Sequence, residues 1–101
     1  MLFELSLFPL GKSHGMSKDV SRVIDLIDKS GLPYQLTCMG TMLEGEWDEV
    51  IELIDKCRQV LLENNDRIYM LLKGDEQKGK TGRIKGKVDS VEQKLGRPVN
   101  K

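Results

Sequence analysis

Few residues of this chain have types and spacing that could do chemistry. Glu44 and Glu46 stand two apart in what reads as a strand, so their carboxylates share a face, as a general acid–base pair would. Surface carboxylates share strand faces routinely, so the pair alone does not make a catalytic centre. The stretch Gly74-Asp75-Glu76-Gln77-Lys78-Gly79-Lys80-Thr81 satisfies the phosphate-cradling pattern G-x-x-x-x-G-K-[ST] and follows a strand. That cradle needs a helix to begin at Lys80-Thr81, so that its first amides hold the anion. Gly82 and Gly86 interrupt such a helix, and the 20 residues from 82 onward are too few for further strands of a parallel nucleotide-binding sheet. The segment therefore reads as a basic loop. His14 is the only histidine, and neither CxxC nor HExxH occurs, which argues against a built-in metal site. The nucleophiles that could pair with His14 are the distant Cys38 and the neighbours Ser13 and Ser17. Binding is expected rather than catalysis.

Size and charge narrow the field further. The 101 residues suit one domain, spanning 1–101, with one modest core. The 16 basic and 16 acidic residues cancel, but unevenly: residues 1–63 hold 6 basic and 11 acidic side chains, and residues 64–101 hold 10 and 5. A basic tail on an acidic body reads as a self-neutralising surface. No Phe or Trp follows residue 47, which leaves little on which to stack bases, so no nucleic-acid partner is expected. Cys38 and Cys57 form no disulfide framework, which makes a reducing cytoplasm the expected location. The N-terminus lacks a basic leader and carries Glu4, and no apolar run approaches the length of a membrane span, so no membrane partner is expected either.

The elements that must position these residues follow from hydrophobic period. Residues 2–8 alternate, with Phe3, Leu5 and Leu7 on one face, and end at Pro9 and Gly11. A loop over 10–16 precedes a helix N-capped by Ser17 and striped by Val20, Val23, Ile24 and Ile27. Gly31 and Pro33 stop it. Residues 34–38 and 41–46 read as a hairpin turned by Gly40 with φ > 0. A second helix runs from Trp47 to about residue 63, with Cys57 on its buried stripe, Trp47 packing at the hairpin–helix junction, and Asn64-Asn65 as a left-handed cap. Residues 67–73 form a strand with both faces apolar, expected to be central. Val88, Val91 and Leu95 suit a last helix from Gly86, closed by Gly96.

The order β-α-β-β-α-β-α is the split βαβ, ferredoxin-like plan: an α+β sandwich, an antiparallel sheet with helices on one face, plus a C-terminal helix. The other face carries Glu4, Ser6, Phe8, Gln35, Thr37, Met39, Tyr69 and Leu71 with Met42 and Glu44, too apolar to remain in water. It is expected to meet another subunit around a ligand.

The segments Ser30-Gly31-Leu32-Pro33-Tyr34, Met39-Gly40-Thr41-Met42-Leu43-Glu44-Gly45-Glu46 and Asp48-Glu49-Val50 resemble the small thiamine-binding proteins, once known only as a domain of unknown function. Arg67-Ile68-Tyr69 and the run from Lys87 to Leu95 extend the likeness over nearly the whole chain. The resemblance implies a ferredoxin-like sandwich that associates through its sheet into a homodimer or homotetramer. It also implies non-catalytic binding of thiamine or a related aminopyrimidine, for sensing or delivery, with no other cofactor. Many members carry an acidic residue and then Arg after the last strand, whereas here Asp75 is kept and the Arg is missing. On this reading Ser6, Thr37, Thr41 and Glu44 hydrogen-bond the aminopyrimidine and Glu44 offsets the thiazolium cation. Phe8 and Met39, with Met42 and Tyr69, cover the flat faces. The alternatives are a protein-interaction module with no small-molecule ligand, and a phosphate-handling enzyme built on residues 74–81.

Overall fold

The computed structural model describes residues 1–11 and 16–100. The expected 10–16 loop with its lone His14 lies largely outside the described residues. Four strands and three helices follow the expected order: β1 (Leu2–Pro9), α1 (Met16–Lys29), β2 (Tyr34–Leu36), β3 (Thr41–Glu44), α2 (Trp47–Leu62), β4 (Ile68–Asp75) and α3 (Arg83–Leu95). All pairings are antiparallel and the strands lie in the order β2-β3-β1-β4.

Register fixes the two faces. Phe3 pairs with Leu43, Leu5 with both Thr41 and Leu72, and Leu7 with Met70, so these residues share the face covered by α1 and α2. Phe3, Leu5, Val23, Ile27, Leu43, Val50, Leu53, Ile54, Cys57 and Leu61 form the buried core there. Each large side chain in it contributes about 1.5–3 kcal/mol by leaving water. Burial also pushes the Cys57 thiol up to about 11, because the thiolate is poorly solvated there. The opposite face carries Glu4, paired with Met42 and Lys73, then Ser6 opposite Leu71 and Phe8 opposite Tyr69.

Several local expectations are corrected. β4 is an edge strand, not a central one, because β1 takes the middle of the sheet. Its second apolar row is left on the surface, with Tyr69 49% and Leu71 50% exposed. Ser17 is inside α1 rather than its cap, since the helix begins at Met16. Among the described residues no non-glycine residue has positive φ, so Asn64-Asn65 is not a left-handed cap. Instead the Asn65 side-chain amide donates to Leu61 O at 2.8 Å and satisfies a terminal carbonyl of α2. At the other end of α2 the carboxylates of Glu46 and Glu49 form a reciprocal capping box. Trp47 is 54% exposed, but its ring does lie against Phe3, with centroids 6.1 Å apart. The last helix starts at Arg83 rather than Gly86, one turn earlier than its apolar stripe suggests.

Candidate ligand-binding site

The site is built by a turn. Thr37 Oγ1 donates to Gly40 O at 2.7 Å and accepts from the Met39 and Gly40 amides at 3.2 and 3.1 Å. The Thr37 amide also donates to Gly40 O at 2.8 Å. One hydroxyl thus ties the whole 37–40 turn, the local role for which Thr competes with regular strand pairing. This shortens β2 to three residues. Gly40 does not take the expected positive φ. Glycine is needed there for another reason: a Cβ would lie 3.0 Å from Leu5 O and 3.2 Å from Ser6 Oγ. Ser6 fastens the turn to β1 by donating its Oγ–H to Met39 O at 3.0 Å.

Because the chain turns away here, a cavity of about 290 Å³ remains between β1, the turn and α1. Five of the six expected site residues, Ser6, Phe8, Thr37, Met39 and Thr41, line it together with Val20, Val23 and Ile24 of α1. Among the described residues its lining carries no charged side chain. The five do not contribute alike. The hydroxyls of Ser6 and Thr37 are already engaged in the turn. The Phe8 ring lies on the opposite sheet face against Tyr69, with centroids 5.5 Å apart. Met39 is 81% exposed at the mouth. Thr41 differs from the rest: the residue is only 6% exposed, and it stands in the cavity wall, with no buried side-chain oxygen among the described residues left without a partner.

Glu44, the sixth residue, is elsewhere. It is 7% exposed. Its carboxylate accepts the Arg83 amide at 2.9 and 3.0 Å and the Ile84 amide at 3.2 Å. It is therefore the N-terminal cap of α3, delivered from a strand 39 residues away. Gly82, the N-cap residue of α3, has no side chain to do this. That was the signal available in the sequence: a helix start without a capping side chain, and a strand acid without a partner. Arg83 completes the anchor by donating to Asp75 O at 2.9 Å and to Asp75 Oδ2 at 2.6 Å. The arginine missing from the loop after β4 is in effect supplied by α3, and it holds the Asp75 carboxyl below its ordinary value. Glu44 lines a second cavity, of about 600 Å³, with Leu32, Pro33, Tyr34 and Ile84. The 74–81 segment is no phosphate cradle in this geometry, since α3 begins after it and its first amides are taken by Glu44. Sequence reasoning missed the α1 wall of the first cavity, because Val20 and Ile24 read as core stripe.

Comparison with known proteins agrees with this architecture. The model of a family described as thiamine-binding protein matches residues 3–92. The chain is 35% identical over 88 residues to the UPF0045 protein MJ1052 of Methanocaldococcus jannaschii, covering 87% of this chain and 88% of that one. The solved structure of that archaeal protein matches with a TM-score of 0.81 at 34% identity, over 91% of this chain and 95% of its own. A Thermotoga maritima protein, described as a candidate thiamine biosynthesis/salvage protein, matches with a TM-score of 0.79 over 89% of this chain and 96% of its own. At 21% identity that likeness shows the fold. By the extent of the family match and the identity of its relatives, this chain belongs to the thiamine-binding protein family.

Proposed function

We propose that the chain binds thiamine or a related aminopyrimidine, without catalysing a reaction on it, in the cavity between β1, the 37–40 turn and α1. The observation that carries this reading is that five of the expected site residues, Ser6, Phe8, Thr37, Met39 and Thr41, gather around one cavity whose described lining has no charged side chain. About 290 Å³ is at the small end of ligand cavities and suits a single flat ring. Val23, Ile24 and Leu36 offer apolar cover, and the Met39 thioether at the mouth suits contact with a ring that projects outward. Membership of a thiamine-binding family supports the choice of ring.

The reading includes self-association, as a homodimer or homotetramer, through the open sheet face that leaves Tyr69 and Leu71 half exposed. It includes a reducing cytoplasm, which suits Cys38 and Cys57 as free thiols. No helix of the described residues is long and apolar enough to cross a membrane.

Thermal unfolding in the presence of thiamine tests the ligand. A ligand held only by the folded state at 100 times its Kd adds about 2.7 kcal/mol of stability. A rise in Tm with thiamine and none with ATP is expected; no rise with thiamine at millimolar concentration would reject the reading.

A further inference from the structure

β1 has a neighbour on both sides for only half its length. It pairs with β4 from Leu2↔Asp75 to Pro9↔Ile68, but with β3 only from Leu2↔Glu44 to Leu5↔Thr41. In an antiparallel strand the N–H and C=O of one residue point to the same side, and successive residues alternate. The hydrogen bonds of the sheet fix the parity. Gly45 N–H donates to Met1 O at 3.1 Å, on the β1 side. Glu44 N–H donates to Pro33 O at 3.0 Å, on the β2 side. Odd-numbered residues therefore bond across the β1–β3 seam. Leu10 N–H, which donates to Arg67 O at 2.9 Å on the β4 side, agrees.

Leu7 is the first odd residue past the end of that seam. Its peptide N–H and C=O point to the place that β3 vacates, and Leu7 lines the cavity. Extending the register would set Met39 opposite, but the turn has bent away and Met39 O accepts the Ser6 hydroxyl instead. Among the described residues no main-chain bond joins Leu7 to the turn. The cavity wall thus holds a main-chain donor and acceptor side by side, with the Thr41 hydroxyl near them and no charged side chain among the described lining residues.

We infer that this main-chain edge of Leu7, together with the Thr41 hydroxyl, is what recognises the ligand. The ligand class is then an uncharged planar aminoazine, in which a ring-nitrogen acceptor stands beside an exocyclic N–H donor. Such a ring edge completes the vacant ladder position as a neighbouring strand would. This rests on the cavity being the ligand site, and it replaces the expected side-chain recognition by Ser6 and Thr37, whose hydroxyls are occupied. It also makes the exocyclic amine, rather than any charged group, the determinant of specificity.

The test is amide-resolved NMR of the full chain with three probes: 4-aminopyrimidine, 4-(dimethylamino)pyrimidine, which keeps the ring but lacks the donor, and thiamine. 4-Aminopyrimidine is expected to give the Leu7 amide one of the largest downfield shifts, together with shifts at Gly40 and Thr41. The dimethylamino analogue should bind at least about tenfold more weakly, the loss expected for one hydrogen bond left unmade at a buried site. Thr41→Val, which keeps the shape, should weaken 4-aminopyrimidine by about tenfold for the same reason. Equal affinity for the two pyrimidines overturns the inference. So does an unmoved Leu7 amide while thiamine shifts the cavity amides, a result that would leave the proposed site standing. Failure of all three probes to move any cavity amide overturns the site and the inference together.

Discussion

Glu44 is the residue whose role depends most on three-dimensional context. Its position mid-strand, beside a motif shared with thiamine-binding proteins, reads as a ligand anchor, and a buried carboxylate does need a partner. The partner is the start of α3. The sequence holds both halves of this signal but not their pairing, which spans 39 residues and depends on how α3 lies against the sheet. Glu44→Gln keeps the shape but halves the acceptor capacity and removes the charge facing the helix dipole. A loss of about 1–3 kcal/mol in the docking of α3 is expected, seen as faster amide hydrogen exchange in α3 than in α2. The Arg83–Asp75 pair gives this anchor a pH dependence. Arg83 depresses the Asp75 carboxyl, so the contribution is present above the ordinary carboxylate value and is lost as pH falls through the lower folded value. Wild type should protect α3 amides better than Asp75→Asn at neutral pH, and the difference should vanish once pH has fallen through the lowered Asp75 value.

At the scale of elements, the sequence specified most of the fold. Strand alternation named the core row of β1, and the stripe of α2 placed Cys57 in the core, as found. What it could not specify was where each strand lies in the sheet. Two apolar faces on β4 read as a central strand, yet β4 is an edge whose outer face is uncovered in the single chain. The turn shows the same limit. Gly40 was legible as a turn residue, but its reason is close approach to Leu5 and Ser6, contacts that are distant in sequence. Gly40→Ala should therefore destabilise through a backbone clash that a flexible side chain cannot relieve. About 1–3 kcal/mol is expected, measured by urea unfolding, with perturbation centred on Ser6 and Met39. A neutral effect would mean that the turn can shift away from β1.

Over the whole molecule, the chain is long for its size. Its radius of gyration is 15.2 Å and its extents are 47 × 29 × 21 Å, against about 13 Å for a compact chain of 100 residues. α3 accounts for part of this, since it has no buried residue and is held mainly at its N-terminus. The open sheet face accounts for the rest of the unusual surface: Phe8, Tyr69 and Leu71 form an apolar row flanked by the Glu4–Lys73 ion pair at 3.3 Å. If this face is the interface between copies, Tyr69→Asp should convert the assembly to monomer, because an unpaired charge at a buried interface costs several kcal/mol. Sedimentation velocity at micromolar concentration reads this directly; a wild-type monomer would remove the proposal.

Isothermal titration of thiamine into wild type, Val20→Trp and Glu44→Gln compares the two cavities within one experiment. Val20 lines the neutral cavity and Glu44 the other. A tryptophan at residue 20 fills the first from its α1 wall and leaves the second untouched. The account predicts that Val20→Trp weakens binding at least about tenfold, or 1.4 kcal/mol, while Glu44→Gln binds as wild type does. Unchanged affinity in Val20→Trp with a loss in Glu44→Gln would contradict it and place the ligand beside α3.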